Sequence, residues 1–530
     1  MVIQPCKFLF RALLALFSSA TFAFEDGLTL SQSSWADKAE WIEILSRDTT
    51  DEAEQILKHW VSGHLFYWPA ENRLVAGFKQ GRKYELRELI SGVAINVVKR
   101  KAVNKIKVNN KLRSKIKQAL AYRSLSSSDA SKRLTAIAEL KRKPDYSLLH
   151  TLLRLEEANR DLKTSRDFQT LVGLVYLESS KSTEQIEGIK RLTDNLSSEA
   201  KEGLSRLLLR EDISSDVRAL GLRTIRDIEK QLSYWGHAQD IVFGISLGSI
   251  LLLAAVGLAI TFGVMGVINM AHGEFIMLGA YTTFVVQQII PGGSATALFV
   301  SIPAAFIVAG VAGILLEKSV IRHLYGRPLE TLLATVGVSL LLQQMVRSIF
   351  GPLNQAVTSP EILSGSLVVN AAFAITYNRV FVIIFAALVM VGLWLLMYRT
   401  PFGVRLRAVT MNRGMAASMG IRSQRMDALA FGLGSGVAGM AGVAISQLTN
   451  VGPNLGQAYI VDSFMVVVFG GVGNLFGTAI AAIGLGVATK IVEPIIGPVL
   501  AKIVILIFII LFIQRRPRGL FALRGRSVEE

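Results

Sequence analysis

Hydrophobic and polar positions divide this chain near residue 240. From about residue 24 to 236, charged residues are interleaved with leucines. From about 240 to 513 the chain is nearly continuous hydrocarbon, broken by short polar loops. A helix of about 20 apolar residues crosses the hydrocarbon core of a bilayer, so runs of this length with few charges are membrane spans. The runs predict nine passes, at about 241–264, 274–290, 296–316, 331–349, 379–397, 426–447, 459–473, 476–490 and 497–513. "FGGVGNLFG" (Phe469 to Gly477) reads either as a tight hairpin or as a re-entrant break, so eight passes are the alternative. "FGLGSGVAGMAGVA" (Phe431 to Ala444) carries small residues at helical spacing, which let helices approach closely in lipid. The expected fold class is all-α, a polytopic membrane helix bundle of 8–9 spans with an N-terminal, mainly helical periplasmic domain.

The polar half has a different period. "RLTAIAELKR" (Arg133 to Arg142) puts Leu134, Ile137 and Leu140 on one helix face, and "EQIEGIKRLT" (Glu184 to Thr193) repeats the spacing. "VRALGLRTIRDI" (Val217 to Ile228) is a third amphipathic stretch. Stacked hairpins of such helices suggest a HEAT-like solenoid. Earlier, "HLFYWPAENRLVAGF" (His64 to Phe78) predicts two short strands around a Pro-Ala-Glu-Asn turn.

Charge sets the orientation. Lys and Arg collect in three short segments: Glu317 to Glu330, Tyr398 to Arg425, and the tail from Gln514. By the positive-inside rule these are cytoplasmic. The segments Pro291 to Ala295, Gly351 to Tyr377 and Thr449 to Ala458 would then face the other side. Residues 1–23 read as a signal peptide, with Lys7 and Arg11 before a short apolar core and small residues up to Ala23; an uncleaved anchor is the alternative. Both signals put residues 24–236 in the periplasm and the C-terminus in the cytoplasm. The domains expected are 1–23 (signal peptide), 24–236 (periplasmic) and 237–530 (membrane). The net charge of +17 raises nucleic acid as a partner, but the basic run "KRKAVNKIKVNNKLRSKIK" (Lys99 to Lys117) would lie outside the cell. Membrane lipid is the partner that fits it, and nucleic acid is excluded.

One stretch breaks the apolar pattern. "GVMGVINMAHGE" (Gly263 to Glu274) sets Asn269, His272, Gly273 and Glu274 between two membrane-length runs. Backbone can leave a helix at membrane depth only where protein or a water-filled cavity receives its polar groups, and transporters place such breaks beside binding sites. Asn269 suits a helix cap, and Glu274 suits the first turn of the next helix, where the dipole favours a carboxylate. A simple surface loop is the competing reading. Asp462 and Asn474 are the other polar positions assigned to the path or to a break.

Catalytic chemistry finds little support. Zinc needs three or four ligands, yet His272 is the one histidine between the first two spans, none lies within a span, and no HExxH occurs. No GxxxxGK[ST] occurs, so the chain carries no P-loop for ATP. No metal site and no cofactor are expected. Acidic residues within the spans form no relay, which argues against a proton-driven carrier. A membrane-anchored periplasmic sensor or scaffold is the further alternative, but nine glycine-rich passes exceed what an anchor needs.

"TFGVMGVINMAHGEFIMLGAY" (Thr261 to Tyr281) resembles the signature of the permeases of branched-chain amino acid (Liv-type) ABC transporters. "YRTPFGVRLRAVTMNRGMAASMGI" (Tyr398 to Ile421) is similar to that family's large cytoplasmic loop, and "VVVFGGVGNLFGTAIAAIGLG" (Val466 to Gly486) to its second glycine signature. The extension with "KVNNKLR" (Lys107 to Arg113) and the form "ITFGVMGVINMAHGE" resemble the urea branch. The resemblance implies an importer permease for a small polar solute, urea first and a branched-chain or related amino acid second, in the bacterial inner membrane. It implies as partners a second related permease, two cytoplasmic ATP-binding subunits and a periplasmic solute-binding protein. It also makes Arg413, Ala416, Ala417 and Gly420 the ATPase-coupling loop. Many importers carry Glu-Ala-Ala followed by Gly there; here Met415 replaces the Glu and the spacing to Gly420 is one residue shorter.

Overall fold

A computed structural model describes residues 26–521, apart from 49, 126, 128, 159, 160, 162–164 and 291–294. The expected signal peptide, most of the loop from Pro291 and the end of the basic tail with Arg524 and Arg526 lie outside the described residues. Chain contacts form two units, Met1–Gln231 and Leu232–Glu530.

The first unit begins with helices α1 (Asp26–Gln32), α2 (Trp35–Arg47) and α3 (Asp51–Val61). Ser34 and Asp37 form a reciprocal capping box at the start of α2, satisfying two backbone N–H groups that the helix cannot. An antiparallel sheet follows, made of β1 (Leu65–Trp68), β2 (Arg73–Gln80), β3 (Lys83–Arg87), β4 (Ala94–Lys99) and β5 (Asn104–Lys105), in the order β4-β3-β2-β1-β5. β1 and β2 are the two expected strands. β3 to β5 were not anticipated, because Lys83, Glu85, Arg87 and Lys99 mask the alternation, and Leu86 is the buried residue of β3. Trp60, Leu57 and Ile42 pack against Leu65 and Ala76 on one sheet face.

Helices α4 (Asn110–Ser124), α5 (Ala130–Arg142), α6 (Leu149–Ala158), α7 (Arg166–Leu177), α8 (Ser182–Leu192) and α9 (Ser198–Leu208) complete this unit. Ile137 and Leu140 are buried as the spacing requires, but Leu134 is exposed and Ala136 takes its place in the core. Phe168, Leu171 and Val175 of α7 fill the centre of that helical layer.

In the second unit nine helical segments occupy the predicted spans: the end of α10 (Ser215–Met265), then α11 (His272–Ile289), α12 (Ala295–Ser319), α13 (Pro328–Phe350), α14 (Tyr377–Arg399), α17 (Ser423–Ser446), α18 (Leu455–Gly470), α19 (Leu475–Ile496) and α20 (Pro498–Arg515). Between α14 and α17 lie α15 (Pro401–Met411) and α16 (Arg413–Ser418). Among the described residues seven of these helices are long and apolar enough to cross a membrane. The two that fall short are α11, which starts with polar residues, and α18, which has 16 residues. The chain is a multi-pass, all-α membrane bundle. The first span was expected from 241, yet α10 already starts at Ser215, because no proline interrupts the amphipathic stretch before it. α18 and α19 are joined by the tight turn Gly471–Asn474, where Gly471 and Gly473 have φ of 105° and 81°. Between α13 and α14 a hairpin forms from β6 (Ser366–Asn370) and β7 (Phe373–Thr376).

α17 is the axis of the bundle. Its apolar window is 83% buried, against 17% for α20 at the periphery. It packs most closely on α12 and α11, and glycines make this possible. A Cβ at Gly279 would overlap the backbone of Gly439, and one at Gly442 would overlap that of Ile276. Gly257 of α10 and Gly434 meet in the same way. In lipid this backbone-to-backbone packing substitutes for the hydrophobic effect that joins helices in water.

Candidate translocation site and coupling loop

The polar break is a real interruption of helix. α10 stops at Met265, Gly266 takes φ 68°, a left-handed conformation that few other residues tolerate, and α11 starts at His272. Gly266 is exposed, but the polar side chains of the segment are turned inward. Asn269, His272 and Glu274 are 1%, 0% and 1% exposed.

Each polar group there is held differently. Asn269 Oδ1 accepts the N–H of Ala271 at 3.0 Å, a local turn ahead of the helix. It does not cap α11, as the sequence suggested; Ala271 stands at that position without a side-chain bond, since Asn269 lies too far upstream to reach the first helical N–H groups. Thr335 of α13 accepts the next free amide, Met270 N–H, at 3.2 Å. His272 Nε2 lies 2.9 Å from the Ala254 carbonyl oxygen. A carbonyl only accepts, so Nε2 carries the proton of this bond. Glu274 sits in the first turn, as expected, but its partners lie across the seam. Its Oε1 accepts from Ser339 Oγ and Gln343 Nε2, both at 2.8 Å. Glu274 Oε2, Asn269 Nδ2 and His272 Nδ1 have no partner among the described residues. Gly273 serves packing: its Cβ would overlap the Gly456 carbonyl of α18.

The partners on α13 were missed. Thr331, Thr335, Ser339 and Gln343 recur every fourth residue and are all buried. Residues four apart share one helix face. A polar stripe along an apolar span was therefore the signal, and it was readable.

Asp462 and Asn474 do not join the cluster. Asp462 forms an ion pair with Lys502 of α20 at 3.0 Å. Asn474 caps α19, accepting the Gly477 N–H at 3.0 Å. Its neighbour Gly473 lies against Gly263, one turn before the break. Among the described residues no three His, Cys, Asp or Glu side chains come together as metal ligands would.

The second candidate region is α15–α16. Asn412 caps α16 through the Met415 N–H at 2.8 Å. The Arg413 guanidinium pairs with the buried Asp427 of α17 and lies 4.1 Å over the Tyr325 ring. Ala416 is buried in the apolar core beside Leu406 and Val409. Arg413 and Ala416 thus anchor the short helix. Ala417 is exposed, flanked by Met415 at 63% and Met419 at 78% exposure, and Gly420 ends the turn at φ 84°.

Comparison with known proteins fixes what this bundle is. The family described as "Branched-chain amino acid transport system / permease component" matches residues 241–513. The chain belongs to this family. Its relatives include the high-affinity branched-chain amino acid transport system permease protein BraD of Pseudomonas aeruginosa, 30% identical over 262 residues, which cover 48% of this chain and 85% of that protein. LivH of Escherichia coli, of the same description, is 29% identical over 263 residues, 48% of this chain and 85% of LivH. A probable LivH permease of Methanocaldococcus jannaschii is 25% identical over 266 residues, 48% of this chain and 81% of that protein. No solved structure matches the chain. Family membership makes the chain a permease subunit and not an enzyme.

Proposed function

We propose that this chain is one permease subunit of an ATP-driven importer in the bacterial inner membrane, carrying a branched-chain or closely related amino acid. The observation that supports this is the family match across the whole membrane unit, together with relatives named for branched-chain amino acids. Those names favour an amino acid over urea, which the resemblance at Lys107 to Arg113 had put first. The chain has no P-loop, so ATP is hydrolysed by two separate cytoplasmic subunits. A second permease and a periplasmic solute-binding protein complete the assembly. The basic loops support a reading with residues 24–236 in the periplasm and α16 in the cytoplasm. There the exposed Ala417, with Met415 and Met419 beside it, enters a groove of the ATP-binding subunit. Apolar methionines in place of the usual acidic residue make that contact one of packing rather than of charge. The break at Gly266–Ala271 lies beside the solute path, and the binding protein sets affinity.

The test is uptake of labelled leucine and labelled urea by a strain lacking this chain. Restoring the chain should restore leucine uptake, competed by valine and not by urea; urea uptake alone would overturn the amino-acid reading. In the same assay Ala417→Trp should abolish uptake while the protein still inserts. Full uptake by that variant would remove α16 from the coupling role. For orientation, a phosphatase fused at residue 230 should be active and one fused at 410 inactive.

A further inference from the structure

Two apolar hollows open on the outer face of the membrane unit between α12, α14 and α17. One, of about 390 Å³, is lined by Phe306, Leu396, Phe402, Leu429 and Leu433 among others. The other, of about 710 Å³, shares Phe306, Leu396 and Leu433 and extends to Phe299. The shared residues make them one groove. Along α12 its lining runs from Phe299 to Ile314, about 22 Å of helix at ~1.5 Å per residue. That is most of a hydrocarbon core about 30 Å thick. Every lining residue is apolar. Gly392 keeps the groove hollow, since a Cβ there would meet nothing within 4 Å.

One end of the groove carries charge. Phe402 and Leu429 line the smaller hollow at that end, and Leu396, shared by both, is the last residue of α14 in the lining. One helical turn from each stands an arginine, Arg399, Arg405 and Arg425, all exposed. Residues three or four apart share a helix face. Among the described residues none of the three has an ion pair or side-chain hydrogen bond, whereas nearby Arg413 is paired with Asp427.

The geometry points to a binding site for one anionic phospholipid, with an acyl chain in the groove and its phosphate among Arg399, Arg405 and Arg425. Guanidinium groups match phosphate oxygens two at a time, and basic clusters between membrane helices hold anionic headgroups. Charge decides the occupant. An apolar helix of a partner subunit would satisfy the walls but bring no anion to three unpaired arginines.

The test is native mass spectrometry of the purified transporter, with its partner subunits, mixed with equal phosphatidylglycerol and phosphatidylcholine of matched chains. The wild type should retain phosphatidylglycerol at least about fivefold over phosphatidylcholine, as even one well-placed arginine implies. Arg399→Gln, Arg405→Gln and Arg425→Gln together should equalise the two lipids. Removing instead the two charges of Arg515 and Arg516 should leave the preference intact. Gly392→Phe should reduce retention of both lipids. Absence of preference in the wild type, or its equal loss in the Arg515/Arg516 control, overturns the site. So does a Gly392→Phe variant that sheds a partner subunit while holding lipid as before, because the groove would then be a subunit interface.

Discussion

Where α11 meets α17, backbones touch: Gly279 faces Gly439, and Gly442 faces Ile276 and Ala280, with no room for a methyl group. Where α11 meets α13, side chains do the joining. Glu274 holds Ser339 and Gln343, and Thr335 holds the Met270 amide. Both seams bind the same helix inside one bundle. The first is short-range and unforgiving of volume. The second is directional, and the polar residues of α13 that make it repeat every fourth position. A transporter needs seams of both kinds. Dispersion between close backbones gives a fixed frame, and a hydrogen-bonded seam can have two registers of similar energy.

The largest effect should come from filling the glycine seam. Gly279→Val puts branched carbon where the Gly439 backbone already lies. Overpacking of a well-packed interior costs about 1–3 kcal/mol or more when side chains can shift, and here the obstacle is main chain. Monodisperse protein should not be recoverable after detergent extraction and size-exclusion chromatography. Recovery at the wild-type level would mean that α11 and α17 are not fixed against each other.

Emptying the polar seam should be milder. Glu274→Ala leaves Ser339 and Gln343 without their shared acceptor, at a cost of about 1–3 kcal/mol. The protein should still fold, with a lower thermal midpoint in detergent. Glu274→Gln keeps a carbonyl oxygen for both donors and should recover much of the loss. If Glu274→Ala and Gln343→Leu lower the midpoint by strictly additive amounts, the two residues are not coupled and the seam is not a unit.

The contrast also explains what the sequence disclosed. The frame was legible: long apolar runs gave the spans, and small residues from Phe431 to Ala444 marked α17 as tightly packed. Gly471 and Gly473 marked an interruption there but left it open between a hairpin and a re-entrant break; in the structure it is the turn between α18 and α19. The polar seam was half legible. Asn269 and Glu274 stood out because they sit together in one stretch. Thr331, Thr335, Ser339 and Gln343 did not, since each looks unremarkable until the period of four is counted. The pairings of Asp462 with Lys502 and of Arg413 with Asp427 join residues far apart in the chain, and no local pattern encodes them. Strands β3 to β5 escaped for the opposite reason, their charged residues lying on the outer side of a half-buried sheet.

The smallest effect expected tests whether the break reads the solute or only shapes the path. Asn269→Ala removes one local hydrogen bond, to the Ala271 amide, of the kind that contributes about 0.5–1.5 kcal/mol. It also removes a buried amide nitrogen that has no partner among the described residues, which offsets part of that cost. The net penalty is therefore under about 1 kcal/mol, less than the tenfold change that 1.4 kcal/mol would bring. Thr335 still holds the Met270 amide, so the break keeps its place against α13. Maximal uptake should fall a few-fold with an unchanged half-saturating concentration if, as proposed, the binding protein sets affinity. A change in half-saturation, or in the ratio of leucine to urea uptake at equal expression, would mean that Asn269 contacts the solute itself. The polar seam would then be a recognition site rather than a movable joint.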